Sequence, residues 1–204
     1  VQTLKRSMRR TKQKVYDYAR SNEWEWFVTW TFDKQKVNSR YDYDELSKRM
    51  SQWLKDARKM KANDMKYLIV PEHHEDGAIH FHGLMSDVGD IKMKNSGIRD
   101  KSGREIFNVD DYKLGFTTAT KISDSMKASN YITKYITLEM IFNTKNKKRY
   151  WVSRNLDKHS ESTVLVDHDI KSDLIKMYEK EAKNAIKIEV ERSDFKQEII
   201  YITI

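Results

Sequence analysis

Apolar positions recur along the chain with two different periods. At 1–21, Leu4, Met8, Val15 and Tyr18 recur at a spacing compatible with a helix that packs one side and leaves a cationic side free. At 24–32 the run Trp24, Trp26, Phe27, Val28, Trp30, Phe32 is aromatic and β-branched, which predicts a buried strand. After a polar loop, Asp42 with Glu45 three residues later marks a helix start. Leu46, Met50, Trp53, Leu54 and Ala57 carry that helix to about 61. Strands are predicted over 65–73 and 78–86, joined at Glu75, Asp76 and Gly77. The stretch 87–104 is polar, basic and glycine-containing, and reads as a loop. A threonine-rich strand follows at 114–122, and Ser123 or Asp124 can cap a helix running to about 140. Beyond a basic turn at 145–149, the pattern predicts a helix near 170–184 and two strand-like runs, 186–190 and 198–204.

Hairpin-linked strands with interspersed helices describe an α+β fold with a mainly antiparallel sheet. The expectation is one domain over 1–204: a core at about 24–140, the basic helix 1–21 before it and an extension from about 155. At 204 residues the chain is long enough for one well-cored domain.

Composition narrows the function. A net charge of +8 suggests a polyanionic partner. The chain has no cysteine, which excludes disulfides, thiolate zinc sites and thiol nucleophiles. There is no apolar run of membrane-spanning length, no apolar signal region at the N-terminus and no phosphate-binding GxxxxGK[ST] motif. The expected setting is a cytoplasm, with no membrane partner.

Chemistry concentrates in one stretch. Four of the six histidines, His73, His74, His80 and His82, fall within ten residues. His80 and His82 alternate on a strand, so they share a face and can share a divalent metal. The third ligand depends on hairpin register. A two-residue loop at Asp76-Gly77 sets His73 opposite His80. A three-residue loop, with Gly77 in the left-handed position, sets Glu72 opposite His80. Two histidines and a carboxylate leave coordination positions open and suit Mn²⁺ or Mg²⁺ Lewis-acid work as well as Zn²⁺ or Fe²⁺. Further along, Tyr131, Lys134 and Tyr135 sit at i, i+3 and i+4 and share a helix face. A phenol is a poor nucleophile until a neighbouring cation favours its phenolate.

These segments, in this order, resemble the HUH endonucleases, specifically the two-tyrosine rolling-circle replication initiators of single-stranded DNA phages and related plasmids. The strand Phe27–Phe32 is similar to the first family motif, His80-Phe81-His82-Gly83-Leu84 to the second, and Tyr131-Ile132-Thr133-Lys134-Tyr135 to the third. The segment 149–154 also resembles the phage branch. The resemblance implies a ferredoxin-like (RNA-recognition-motif-like) sheet with helices on one face. It implies Glu72, His80 and His82 as ligands of Mn²⁺ or Mg²⁺, Tyr131 as first nucleophile, Tyr135 for a second cleavage, and Lys134 to position or neutralise phosphate. The implied activity is nicking and joining of single-stranded DNA at a replication origin through a 5′-phosphotyrosine, with a host helicase and polymerase as partners. Thr29, Thr31, His74, Arg9 and Arg10 are additional candidate DNA contacts. Transposases and mobilisation relaxases share the same residue set, and a silent single-strand-binding module is the non-enzymatic alternative.

Overall fold

The computed structural model describes residues 2–159, 173, 176, 177, 180, 184–192 and 195–203. It divides into two compact units, Val1–His159 and Ser160–Ile204.

In the first unit the elements run α1 (Gln2–Arg20), β1 (Trp26–Phe32), α2 (Tyr43–Met60), β2 (Lys66–His73), β3 (Ile79–Ser86), β4 (Met93–Arg99), β5 (Glu105–Val109) and β6 (Gly115–Lys121). They continue with α3 (Ser125–Ile132), a 3₁₀ turn (Thr133–Tyr135), α4 (Leu138–Asn143) and β7 (Trp151–Val152). Seven strands form one sheet in the order β4-β5-β6-β1-β3-β2-β7, with every neighbouring pair antiparallel. The α+β class and the antiparallel sheet are as the sequence predicts.

The helices cover both faces of the sheet rather than one. On one face, Val28, Trp30, Phe32, Ile69 and Phe81 pack under Leu46, Met50 and Leu54 of α2. On the other, Leu68, Val70 and Leu84 pack under Val15 and Ala19 of α1, Ile132 of α3, and Met140 and Ile141 of α4. The reason is visible in β2 and β3, where consecutive residues are buried, as on a sheet covered twice. In β1 the burial alternates strictly, because one of its faces is left for the site.

Local chemistry explains the element boundaries. The Asp42 carboxylate accepts from the backbone N–H groups of Asp44 and Glu45 at 2.9 and 3.1 Å and so starts α2. The capping box is half made, since the Glu45 carboxylate accepts from Asn38 N–H at 3.2 Å. Asp124 caps α3 through Lys127 N–H at 3.0 Å.

Two expectations are corrected. The helix predicted to continue to about 140 breaks after Tyr135. Ile136 leaves helical geometry (φ −85, ψ 85), and Thr137 turns its hydroxyl to cap α4, accepting from Met140 N–H at 3.1 Å. A β-branched residue that can bond its own backbone favours such a break. The predicted loop at 87–104 contains β4 and, with β5, forms a hairpin. Most of its side chains are exposed, so it carries no apolar alternation to read. Its turn is set by Asp100, whose carboxylate accepts from Ser102 and Arg104 N–H, and by Gly103 at φ +83.

Gly83, between Leu84 and His82, has no room for a side chain. A Cβ there would lie 2.7 Å from Ile69 Cγ1 and 3.0 Å from both Trp30 and the Leu68 carbonyl oxygen. Gly83→Ala is expected to destabilise the fold by about 1–3 kcal/mol through overpacking. For a domain of this size that lowers Tm by roughly 3–10 °C, as read by thermal unfolding followed by circular dichroism.

In the second unit, β8 (Asn184–Arg192) and β9 (Phe195–Thr203) pair as an antiparallel hairpin, matching the two predicted strand runs. The helix expected over 170–184 lies largely outside the described residues.

Candidate active site

The hairpin register is settled by two hydrogen bonds and one backbone angle. His74 N–H donates to Ala78 O at 2.8 Å, Gly77 N–H donates to His74 O at 2.8 Å, and Gly77 takes φ +82. The loop is therefore Glu75-Asp76-Gly77, and Glu72 pairs with His80 while His73 pairs with Ile79. Glu72, His80 and His82 lie on one sheet face. His73 lies on the opposite face, its ring stacked on Tyr43 with centroids 6.1 Å apart.

The neighbouring strand completes the floor. β1 pairs Thr29 with His82 and Thr31 with His80. The Thr29 hydroxyl sits 3.0 Å from His82 Nδ1, and His82 Nε2 sits 2.6 Å from Glu72 Oε2. His82 is buried, with 6% of its surface exposed. Burial pushes its pKa down although Glu72 pulls the other way. His80 is also lowered, chiefly by burial. The hydrogen bond from His82 holds the Glu72 carboxyl below its usual range. Two neutral imidazoles and one carboxylate are the ionic states a divalent cation needs. His80 stacks on His74 with centroids 5.1 Å apart, and His74 Nδ1 lies 3.3 Å from Asp76.

Among the described residues, no three His, Cys, Asp or Glu side chains are already gathered around one point. The Glu72–His82 hydrogen bond closes the group on itself. The donor set nevertheless fits a cation. Replacing that bond requires His82 to move its proton to Nδ1, and the Thr29 hydroxyl can donate to or accept from that nitrogen.

The break after Tyr135 lays the tyrosines over this floor. The Tyr135 ring lies flat on His82, with centroids 3.8 Å apart and planes at 8°. It is only 6% exposed, and burial pushes its phenol far up. Tyr131 stands outside it and is 48% exposed. Its ring meets Phe27 edge-on at 5.2 Å, so Phe27 wedges under both tyrosines. Lys134 Nζ donates to the Tyr131 hydroxyl and lies 3.7 Å from the Tyr131 ring centroid. Tyr135 OH donates to the same oxygen at 3.4 Å. Burial raises the Tyr131 phenol, but these two hydrogen bonds and the Lys134 charge outweigh it, leaving the group below its ordinary value.

The structure thus brings Glu72, His80, His82, Thr29, Tyr131, Lys134 and Tyr135 together, with Thr31 and His74 beside His80. Arg9 and Arg10 lie away from this face, on α1. A cleft of about 450 Å³ opens next to Tyr131, walled by Thr29, Phe27, Thr118 and Arg104. Sequence reasoning missed Phe27 as a wedge and the β6 residues beside it. The signal was β1 alternation, which puts Phe27, Thr29 and Thr31 on one face and pairs them with Thr120, Thr118 and Phe116. Phe116 is 70% exposed on that face.

A seven-stranded antiparallel sheet carrying a His-x-His strand and a two-tyrosine turn on one face defines an α+β protein of the replication-associated class. The family model for the replication-associated protein ORF2 matches residues 25–140, from the approach to β1 through the middle of α4. The chain belongs to this family, and its process is DNA replication. No curated protein and no solved structure gave a significant match. No helix among the described residues is long and apolar enough to cross a membrane.

Proposed function

We propose that the protein is a metal-dependent nickase and joinase of single-stranded DNA, of the HUH type, that initiates rolling-circle replication. The observation that carries this reading is the placement of the Tyr131 phenol, with Lys134 bonded to it, above the Glu72, His80 and His82 face. Membership of the replication-associated family supports the DNA substrate.

Glu72, His80 and His82 would hold Mn²⁺ or Mg²⁺, which when bound supplies Lewis-acid polarisation of a phosphate oxygen. In the reaction itself, Tyr131 Oη loses its proton and attacks the phosphorus of a phosphodiester. The P–O3′ bond breaks, and the departing 3′ oxygen takes up a proton. The products are a 5′-phosphotyrosine and a free 3′-OH, which a host polymerase can extend once a helicase has separated the strands. One ester replaces another, so attack by a 3′-OH reverses the step and joins the strand. Lys134 stabilises the phenolate and is placed to neutralise phosphate charge. Phe27 and Tyr135 hold the Tyr131 ring in position. Tyr135, buried against His82, would serve a second cleavage after rearrangement of the turn.

The defining test incubates the protein with Mn²⁺ and single-stranded oligonucleotides tiling the replicon that encodes it. A covalent protein–DNA band surviving denaturation is expected. Its absence across the whole set would remove the nuclease reading.

Lys134 also sets a pH dependence. The reactive form of Tyr131 is the phenolate, and Lys134 lowers its pKa. Adduct formation should therefore rise with pH and level off below pH 10, the ordinary phenol value. In Lys134→Ala the hydrogen bond and charge are gone, and the break in the pH–rate profile should move to higher pH. An unchanged break would mean that Lys134 does not act on the phenol.

A further inference from the structure

The site just described leaves α1 without a function beyond packing. One side of α1, through Thr11, Val15 and Ala19, is buried against the sheet and the helices α3 and α4. The rest of its surface carries Lys5, Arg6, Arg9, Arg10, Lys12 and Lys14, all exposed. None of these six forms an ion pair among the described residues, whereas ten other ion pairs are made elsewhere in the unit. The one acidic residue of α1, Asp17, accepts a hydrogen bond from Gln13.

The cations are not spread evenly. With about 100° per residue, Lys5, Arg9 and Lys12 form one row and Arg6, Arg10 and Lys14 a second. The rows lie roughly 130° apart on the helix surface. Between them lie Gln2 and Gln13, both uncharged and exposed. A single strand of nucleic acid presents one line of phosphates and is usually gripped with aromatic stacking. The outer face of α1 has two cationic rows and no fully exposed aromatic ring. A duplex has two phosphate strands bordering a major groove about 12 Å wide, which admits an α-helix.

We propose that α1 docks duplex DNA along its phosphate backbone, one cationic row on each strand, and so holds a double-stranded arm flanking the single strand that Tyr131 attacks. The role of that arm rests on the nickase reading, but the binding surface does not. α1 packs on α3, whose penultimate residue is Tyr131, so a duplex held there stands one helix away from the nucleophile.

The test compares two probes by fluorescence anisotropy over a range of salt: a mixed-sequence single strand, and the same strand carrying a 15-base-pair hairpin stem at one end. The proteins are the full chain and two triple variants, Lys5→Gln/Arg9→Gln/Lys12→Gln and Arg6→Gln/Arg10→Gln/Lys14→Gln. All six positions are exposed, and thermal unfolding checks that both variants keep the wild-type Tm. The wild type is expected to bind the stem-bearing probe at least tenfold more tightly. Each variant should lose that preference, with the slope of log affinity against log salt flattened by up to about 0.9 per phosphate contact removed. Single-strand binding should change less than threefold. Equal losses on both probes, no loss on either, or binding of anionic phosphatidylserine vesicles in place of the stem would each overturn the proposal. Adduct formation on a single-stranded origin oligonucleotide is measured in parallel. Its failure in the wild type counts against the nickase and leaves the duplex comparison to decide on α1.

Discussion

Replacing Tyr131 by Phe is expected to abolish covalent attachment to DNA, lowering the rate by about a thousandfold or more, as loss of a nucleophile does elsewhere. The substitution removes one oxygen and nothing structural, because the ring keeps its edge contact with Phe27. Tyr135→Phe should behave differently. Its hydroxyl donates to Tyr131 OH, so its loss removes one of two stabilising hydrogen bonds and should slow the first cleavage less than tenfold. The asymmetry follows from position. Tyr131 is half exposed and its phenol is lowered, whereas Tyr135 is buried under it and its phenol is raised. The measurement is adduct yield on denaturing gels, with peptide mapping of the modified tyrosine. Loss of the adduct only in Tyr135→Phe would reverse the two roles.

The second large effect concerns the cation. Glu72→Ala, His80→Ala and His82→Ala are each expected to weaken Mn²⁺ binding by about a hundredfold or more and to remove adduct formation, since each deletes one of three ligands. His73→Ala should leave Mn²⁺ affinity within a factor of two. His73 neighbours Glu72 in sequence, but its ring lies against Tyr43 on the other face of the sheet. Isothermal titration of Mn²⁺ into each variant reads this directly. His82→Ala also leaves the Thr29 hydroxyl and the Glu72 carboxylate without their partner. Glu72→Gln, which keeps the volume and a hydrogen bond to His82, therefore separates loss of the ligand charge from loss of the fold. Equal weakening by His73→Ala and Glu72→Ala would mean that the cation does not sit on the His80 face.

Much of the fold was legible in one dimension because its signals are local. The alternation of Trp26, Val28, Trp30 and Phe32, the cap at Asp42 and the helical spacing of Leu46, Met50 and Leu54 each involve residues within a turn or two of one another. The β4–β5 hairpin was not legible, since its strands bury little and its order comes from the Asp100 turn and from pairing with β6. The break after Tyr135 was hidden for a related reason. Ile136 and Thr137 are compatible with a helix, and the choice between continuing it and capping α4 is made by packing against α1 and the sheet.

By itself, the sequence determined that a strand would present His80 and His82 on one face and that Tyr131, Lys134 and Tyr135 would lie close together, because both follow from backbone periodicity. It left Glu72 and His73 as alternatives, since a shift of one residue in a hairpin exchanges the faces. Only the tertiary structure decided between them, through the left-handed Gly77 and the three-residue loop it closes. Only the tertiary structure placed Tyr135 on His82 and Tyr131 outside it, because that contact joins residues some fifty positions apart and depends on how α3 and its 3₁₀ turn seat on the sheet.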